Sequence, residues 1–484
     1  MKFLKTLIIL IYLISLRQVY AADVEISGTQ ATREDLQASS TLTIESGGVL
    51  DGNLNNIVRG YIAAGNEIDN ATVVVESGGI IQGKSNAIMG RELSGLTVIN
   101  SGTIEATSSK AIQLQDAQGA TITNKSGGLI FADTNAIVQQ SVGTEVATGA
   151  SISNAGTIYS VENRAIYFYD GATDATLTND SGGIIFNTST FATVQIDTNS
   201  TLVNSGTIDN RNSPSNAGIA IVGNNNTVTL KDKSILVGKI DGGTTTGNTL
   251  KFQHGVGQGY YYETAGSFNL QDLDGNQVVK GSAGSVGQGG NENIDELLGY
   301  KSLNIRKSLD KFVKSEGFKN KETEWQGIQA TSLERKEHTK NLALGYEFYS
   351  LGVNIIRPSE NENVIASFEY SEQDFQKDHN IRRYNLLFGL HYNETEINKF
   401  KNNSFILAGA TLNEGERKIL TNTTSSGTLN ISDTYESFEI HTGKKFINKS
   451  LIPNIGTNLS YSYTPEHSET KYYSWEDKHV ANFS

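Results

Sequence analysis

The sequence predicts an all-β protein in three stretches: a parallel β-helix solenoid, a short α-helical linker, and an antiparallel β-sheet. Three observations carry this. A Ser-Gly phrase returns seven times between Ser46 and Thr207, helical spacing of apolar residues occupies about 294–315, and from Trp325 onward large and small residues alternate.

The phrase reads Ser46-Gly47-Gly48-Val49, Ser77-Gly78-Gly79-Ile80, Ser101-Gly102-Thr103-Ile104, Ser126-Gly127-Gly128-Leu129, Ala155-Gly156-Thr157-Ile158, Ser181-Gly182-Gly183-Ile184 and Ser205-Gly206-Thr207-Ile208. Its spacing, roughly 24 to 31 residues, is that of one coil of a solenoid. Before each phrase lies a β-rich run such as Thr41-Leu42-Thr43-Ile44 or Thr72-Val73-Val74-Val75, and after it comes a second strand signature such as Ala87-Ile88, Ala111-Ile112 or Ala136-Ile137. Stacking at about 4.8 Å places Ile44, Val75 and Ile99 in one interior column, because a single coil cannot enclose its own apolar residues. The glycine after each Ser or Ala is expected at a backbone angle closed to other residues. Asn100, Asn124, Asn154, Asn179 and Asn204 fall beside that corner, where their amides can bond along the axis. Thr227–Leu230, Ile235–Val237 and Asn248–Phe252 lack the phrase and read as terminal coils. The solenoid is thus expected over 22–270, with repeats over about 38–225 and a cap over about 226–270.

Residues Met1 to Ala21 read as an export signal: Lys2 and Lys5, then apolar Leu7 to Leu16, then Val19-Tyr20-Ala21 before a cleavage point. The apolar run is too short to span a bilayer. The chain has no cysteine, so no disulfide or thiolate metal site holds it together, and its net charge of −13 argues against nucleic acid as a partner. Four prolines against 49 glycines suit continuous ladders joined by tight turns.

Gly281 to Gly290 reads as a flexible linker within 271–320. Ile294, Leu297, Leu298, Ile305, Leu309, Phe312 and Val313 then recur at helical spacing, with Asn293 and Glu296 as a capping pair. Such a helix is roughly 33 Å long, the thickness of a bilayer core, and suits a pore plug or an amphipathic surface helix. From 321 to 484 about seven or eight strands are expected. One face is assigned to Leu342, Leu344, Tyr346 and Phe348, to Tyr384, Leu386, Phe388, Leu390 and Tyr392, and to Ile455, Thr457, Leu459, Tyr461 and Tyr463. Apolar-out, polar-in strands with aromatics near their ends are the pattern of outer-membrane barrels, although a soluble sandwich also alternates.

Signal, solenoid, helix and barrel-like strands in this order resemble the autotransporters of Gram-negative bacteria. The Asn-Ser-Gly-Thr-Ile phrase looks like their passenger repeats, and Tyr463-Thr464-Pro465 with Tyr472-Tyr473-Ser474-Trp475 is similar to a late segment of their barrel domain. The resemblance implies a cell-surface passenger, exported through the periplasm and carried by an outer-membrane barrel. Its partners would be membrane lipid, the barrel-insertion machinery, and host or environmental glycans or proteins. It also implies a barrel with more strands than follow Trp325 and a terminal aromatic residue, so the chain ending at Ser484 reads as a C-terminally truncated, incomplete barrel domain, with a genuine eight-stranded barrel as the alternative.

Asp180-Ser181-Gly182-Gly183 matches the surroundings of a protease nucleophile, but Ser181 is one of a series of corner serines and every histidine lies at 254 or later. Glu45 and Glu76 occupy equivalent corners and raise a glycosidase alternative, though the later corners carry Asn, Lys, Asn, Asp and Asn and nothing concentrates acids on one patch. The Gly-rich nonapeptides of calcium-binding solenoids are missing. No catalytic, cofactor or metal site is therefore expected. The candidate contact residues are Tyr167, Phe168 and Tyr169, because alternation must expose at least one of these rings. A non-enzymatic, adhesin-like surface protein is the preferred expectation, with a polysaccharide-acting enzyme or a secreted soluble β-protein as alternatives.

Overall fold

The computed structural model describes residues 23–52, 56–61, 68–142, 146–169, 171–213, 215–232, 234–276, 278, 284–285, 291–314, 324–336, 345–359, 362–376, 378–393, 400–448, 455–465, 467–470, 473–475 and 478–483. The expected export signal, the residues Leu342 and Leu344, most of the Gly281–Gly290 stretch and the capping side chains Asn293 and Glu296 lie outside the described residues. Two compact units result. One comprises Met1–Gln253, Glu263–Gln271 and Asn422–Gly427, the other His254–Tyr262, Asp272–Thr421 and Thr428–Ser484.

The first unit is a parallel β-solenoid whose coils lay strands on three sheets of eleven, nine and ten strands. The first sheet carries the runs before each Ser-Gly phrase, in register from coil to coil: Thr72, Thr97, Thr121 and Ser151 are successive partners. The second sheet begins just after each phrase, and the third carries the Ala-Ile signature. Thr227–Lys231, Ile235–Val237 and Thr249–Gln253 continue the same stacking, so the coils go on where the phrase stops.

The interior column differs from the expected one. Ile44 and Val75 point inward and are fully buried, but their in-register successor is Asn100 rather than Ile99, which faces outward. The column then runs Asn124, Asn154, Asn179 and Asn204 before returning to Leu230. Each Asn Nδ2 donates to the next Asn Oδ1 at 2.8 Å. The amide array is part of the core.

The corner glycines also divide in two. In the Gly-Gly phrases Gly47, Gly78, Gly127 and Gly182 have φ of +81° to +86°, as expected. In the one-residue-shorter Gly-Thr phrases the glycine aligns with the second glycine instead. Gly102, Gly156 and Gly206 have no positive φ, and a Cβ there would strike the backbone oxygens of the Gly-Gly corner one coil earlier. From Ser77 onward long and short corners alternate, so each short corner nests under a long one.

The second unit contains helix α1 (Asn291–Val313) and eight antiparallel strands in sequence order: β1 (Trp325–Arg335), β2 (Tyr346–Arg357), β3 (Asn363–Phe375), β4 (His379–Asn393), β5 (Phe400–Thr421), β6 (Thr428–Asn448), β7 (Ile455–Thr464) and β8 (Lys478–Phe483). Among the described residues no ladder joins β8 to β1. Within the expected linker, Gly284–Ser285 pairs with Tyr260–Tyr261, which in turn pairs with Leu420 and Thr421.

Candidate functional site

Of the three candidate contact aromatics, Phe168 points into the solenoid and is fully buried, whereas Tyr167 and Tyr169 share the outer side of the strand. Their rings stack at 4.1 Å, and the Arg164 guanidinium lies 4.5 Å from the Tyr167 ring and 4.8 Å from that of Phe191. Burial pulls Arg164 below the ordinary guanidinium range, with Tyr167 opposing that shift. The result is a row of Tyr169, Tyr167, Arg164 and Phe191, with Phe191 the outermost ring at 46 % exposure. Each cation–π pair of this kind is worth about 0.5–1 kcal/mol at an exposed site, and Phe191 leaves one apolar ring open to solvent.

On the second sheet Phe131, Tyr159 and Phe186 stack from coil to coil, with centroids 5.1 and 4.2 Å apart. Tyr159 and Phe186 stack face to face and Phe131 is tilted by 32° against Tyr159, so the three rings form a ladder from coil to coil. Of the two corner acids, which follow the in-register partners Ile44 and Val75, Glu76 accepts from the Ser46 backbone N–H at 3.3 Å and so ties one coil to the next. Among the described residues no group of three His, Cys, Asp or Glu could hold a metal ion. Tyr260, Tyr261 and Tyr262 are buried and offer no surface.

The other candidate is the inner face of the second unit, which the α1 sequence positions. Ile305, Leu309 and Phe312 recur on one side of the helix and pack on Ile356, Ile365, Leu387, Phe405 and Leu407 of the sheet. Polar residues anchor the remaining turns. Lys301 Nζ lies 2.6 Å from Glu439 Oε2, which also meets His441 Nε2 at 3.0 Å, while Thr411 donates to Glu439 Oε1 at 2.7 Å. Asn304 donates to Thr331 at 2.9 Å, Asn354 to Ser308 at 3.0 Å, and Lys445 to Asp310 at 2.7 Å. Beside Lys301, Glu369, Arg383 and Glu439 lies a cavity of about 50 Å³, room for a few waters only. His391 is fully buried on the inner face, bonded to Asn363 and Asn403 with its ring edge-on to Phe312.

The two faces of this sheet are inverted relative to a soluble domain. Ser350, Asn354, Ser367, Glu369, Asn385, Thr411, Ser437, Glu439, Asn458 and Ser460 point inward and are buried. Outward point Tyr349, Leu351 and Ile355 on β2, Phe368 on β3, Leu386 and Phe388 on β4, Ile406 and Leu412 on β5, Phe438 and Ile440 on β6, and Leu459 on β7, all exposed. Register aligns them into one band: Leu351 pairs with Tyr370, Tyr370 with Tyr384, Tyr384 with Leu412. At one rim Tyr349, Tyr370 and Tyr384 are followed by Glu334, Glu347, Glu372, Asp374, Glu414 and Glu436; at the other stand Arg357 and Lys444.

The faces of β4 and β7 match the expected ones, but that of β2 is reversed. Tyr346 and Phe348 face inward and pack with Phe375 and Ile381, while Glu347 and Tyr349 face out. The inner face is apolar at that end because Leu297 of α1 packs there against Tyr346, Phe348, Phe375 and Ile381, so an apolar-out rule assigns the phase of β2 wrongly. Among the described residues no helix is long and apolar enough to cross a membrane, a fact that says nothing of strands.

No family model, curated protein or solved structure matches this chain. The fold itself, a parallel solenoid followed by an antiparallel sheet with a single helix, fits an autotransporter layout.

Proposed function

We propose that the second unit is an outer-membrane anchor and that the solenoid is a non-enzymatic, adhesin-like rod that it carries at the cell surface. The observation that supports this is the inverted sheet, with its exposed apolar band, tyrosines at one rim, and serines, amides and acids turned inward. In water a band of this size would drive association; in a bilayer it replaces water with lipid and meets the headgroups with tyrosine. The inner face meets α1 rather than lipid: it is apolar where Ile305, Leu309 and Phe312 pack and polar beside Lys301 and Glu439.

In this reading the solenoid needs no active site. Its uninterrupted ladders supply rigidity, and the Tyr169–Tyr167–Arg164–Phe191 row is the region where a glycan or protein would be met. Stacking of coils outside the cell would bias export outward, beginning from the buried cap residues Leu230, Leu236 and Leu250.

Membrane fractionation tests the anchor. The chain should stay with outer membranes through alkaline carbonate and leave only with detergent, and Leu386→Arg at the middle of the band should weaken insertion by about 2–4 kcal/mol. Recovery of the wild-type chain in the soluble fraction would overturn the proposal. Protease applied to intact cells tests display: the solenoid should be cut, and polar substitutions at Leu230, Leu236 and Leu250 should reduce what is reached. Normal display of that variant would remove the export argument.

A further inference from the structure

We infer that Arg306 and Gly456 form a key and notch that seat α1 at a single register on the inner face of the sheet, making the helix a latched, separable part of this unit. Arg306 lies on the side of α1 away from Asn304 and Ser308, and its side chain is almost fully buried. Nη2 donates to the Thr457 carbonyl at 3.1 Å and Nη1 to the Lys444 carbonyl at 3.4 Å. Lys444 and Thr457 are direct cross-strand partners on β6 and β7, so one guanidinium ties both strands to the helix. The Phe405 ring lies 5.6 Å from its Cζ.

The space for this guanidinium exists because two inward positions lack side chains. Neither Gly443 nor Gly456 has a positive φ, so backbone conformation does not call for glycine at either place. Strand interiors disfavour glycine unless something approaches closely, and here the close neighbour is Arg306. A Cβ on Gly456 would overlap the guanidinium, and the next nearest atom, the Lys444 oxygen, lies at an ordinary 3.7 Å. A Cβ on Gly443 would strike Arg306, Asn458 and Phe405 together, which makes Gly456 the cleaner half of the lock.

The flanking ion pairs, Lys301–Glu439 and Asp310–Lys445, bracket Arg306 along the helix. A slip of one turn, about 5.4 Å, would carry the guanidinium off the notch and onto a wall that bears His441 and Asn458 side chains, and would break both pairs. The helix thus has one seated state, and in that state the polar inner wall is closed off.

The inference rests on the fold of this unit alone, so a test in detergent solution leaves the membrane reading aside. The chain has no cysteine, and Ser302 of α1 is fully buried, so Ser302→Cys reports seating through its reaction with a maleimide. In the full chain this thiol should be protected. Adding Gly456→Ala should raise its labelling rate about tenfold or more, the effect of overpacking a filled site. In an Arg306→Ala background the same Gly456→Ala should change the rate by less than about twofold, because the atoms it strikes are gone. An unchanged rate with Arg306 present, or an equal rise in both backgrounds, overturns the inference. If Gly456→Ala alone prevents folding, the double variant decides: recovery of the sheet spectrum supports the key and notch, and failure to recover refutes it.

Discussion

Asn124 donates its Nδ2 to Asn154 Oδ1 at 2.8 Å, and Asn154 passes the same bond to Asn179, so that a hydrogen-bonded amide row replaces aliphatic packing in the solenoid interior. Each amide also reaches a backbone carbonyl, as Asn124 does to Gly128 and Thr157. Such a row is stable only if every member is satisfied. Asn154→Ala, in the middle, removes a donor and an acceptor at once and leaves Asn179 Oδ1 buried without its partner, at a cost of about 2–4 kcal/mol. Asn204 ends the row beside Leu230, so Asn204→Leu should cost less. Thermal or denaturant unfolding of the two variants should therefore rank them in that order, and equal losses would show that the row is not cooperative.

Two glycines of the same coil are required for different reasons. Gly119 has φ +61° with open space where a Cβ would go, whereas Gly128 has no positive φ but a Cβ there would press on Asn124 and Asn100. Gly119→Ala should cost about 1–2 kcal/mol of backbone strain, and Gly119→Asn less, since asparagine tolerates the left-handed region. Gly128→Ala should cost more than Gly119→Ala and should lose protection in the amide row, measurable as faster hydrogen exchange in coils 100–154. An intact row in Gly128→Ala would contradict the steric account.

That contrast explains what could be read from the letters. The corner after the first-sheet strand repeats as Ser-Gly because one position there tolerates almost nothing but glycine. A second corner repeats as regularly in space: Ser39, Asn70, Gly95, Gly119, Gly149, Asp174, Asn199, Asn225 and Gly247 all have positive φ and stand two residues before the first-sheet strand. Successive members donate their N–H to the next coil, as Asn70 does to Ser94 and Asn199 to Asn224. Four residue types share the ability to adopt this conformation, so no phrase recurs and the corner is invisible to pattern. The same holds for facing. Tyr384 to Tyr392 reveal their outward side because polar residues alternate with them, but Tyr346 and Phe348 lie where the helix end makes the inner face apolar as well. The aromatic row is partly legible: adjacency of Tyr167 and Tyr169 marks it, while Phe191 joins from another coil.

Gln139 is a place where the sequence works against the fold. Its in-register neighbours are Leu114 and Phe168, both inward and fully buried, and neither its Oε1 nor its Nε2 finds a hydrogen-bond partner among the described residues. An unpaired buried amide costs about 1–3 kcal/mol, whereas an apolar side chain of similar volume restores packing without that loss. Gln139→Leu should raise the unfolding midpoint of the solenoid by several degrees, and a lower midpoint would mean that the amide has a partner in solution.

His254 gives the chain an acid-sensitive point outside the sheet's apolar band. Its Nε2 lies 3.0 Å from the Tyr262 hydroxyl, and the Tyr260 ring stands edge-on at 5.5 Å. Burial lowers the imidazole to about 4 and raises the Tyr262 phenol well above its usual range. The folded state therefore favours the neutral ring more than the unfolded state does, whose imidazole titrates near 6.5. A depressed folded value means that the stabilising difference is fully present above pH 6.5 and is lost as the pH falls from 6.5 to 4. The loss should amount to about 3 kcal/mol by pH 4. His254→Gln offers Tyr262 a neutral partner that does not titrate, so it should be less stable than wild type at pH 7.5 and flatter between pH 6.5 and 4. Denaturant unfolding across that interval measures both slopes, and parallel slopes would place the acid sensitivity elsewhere.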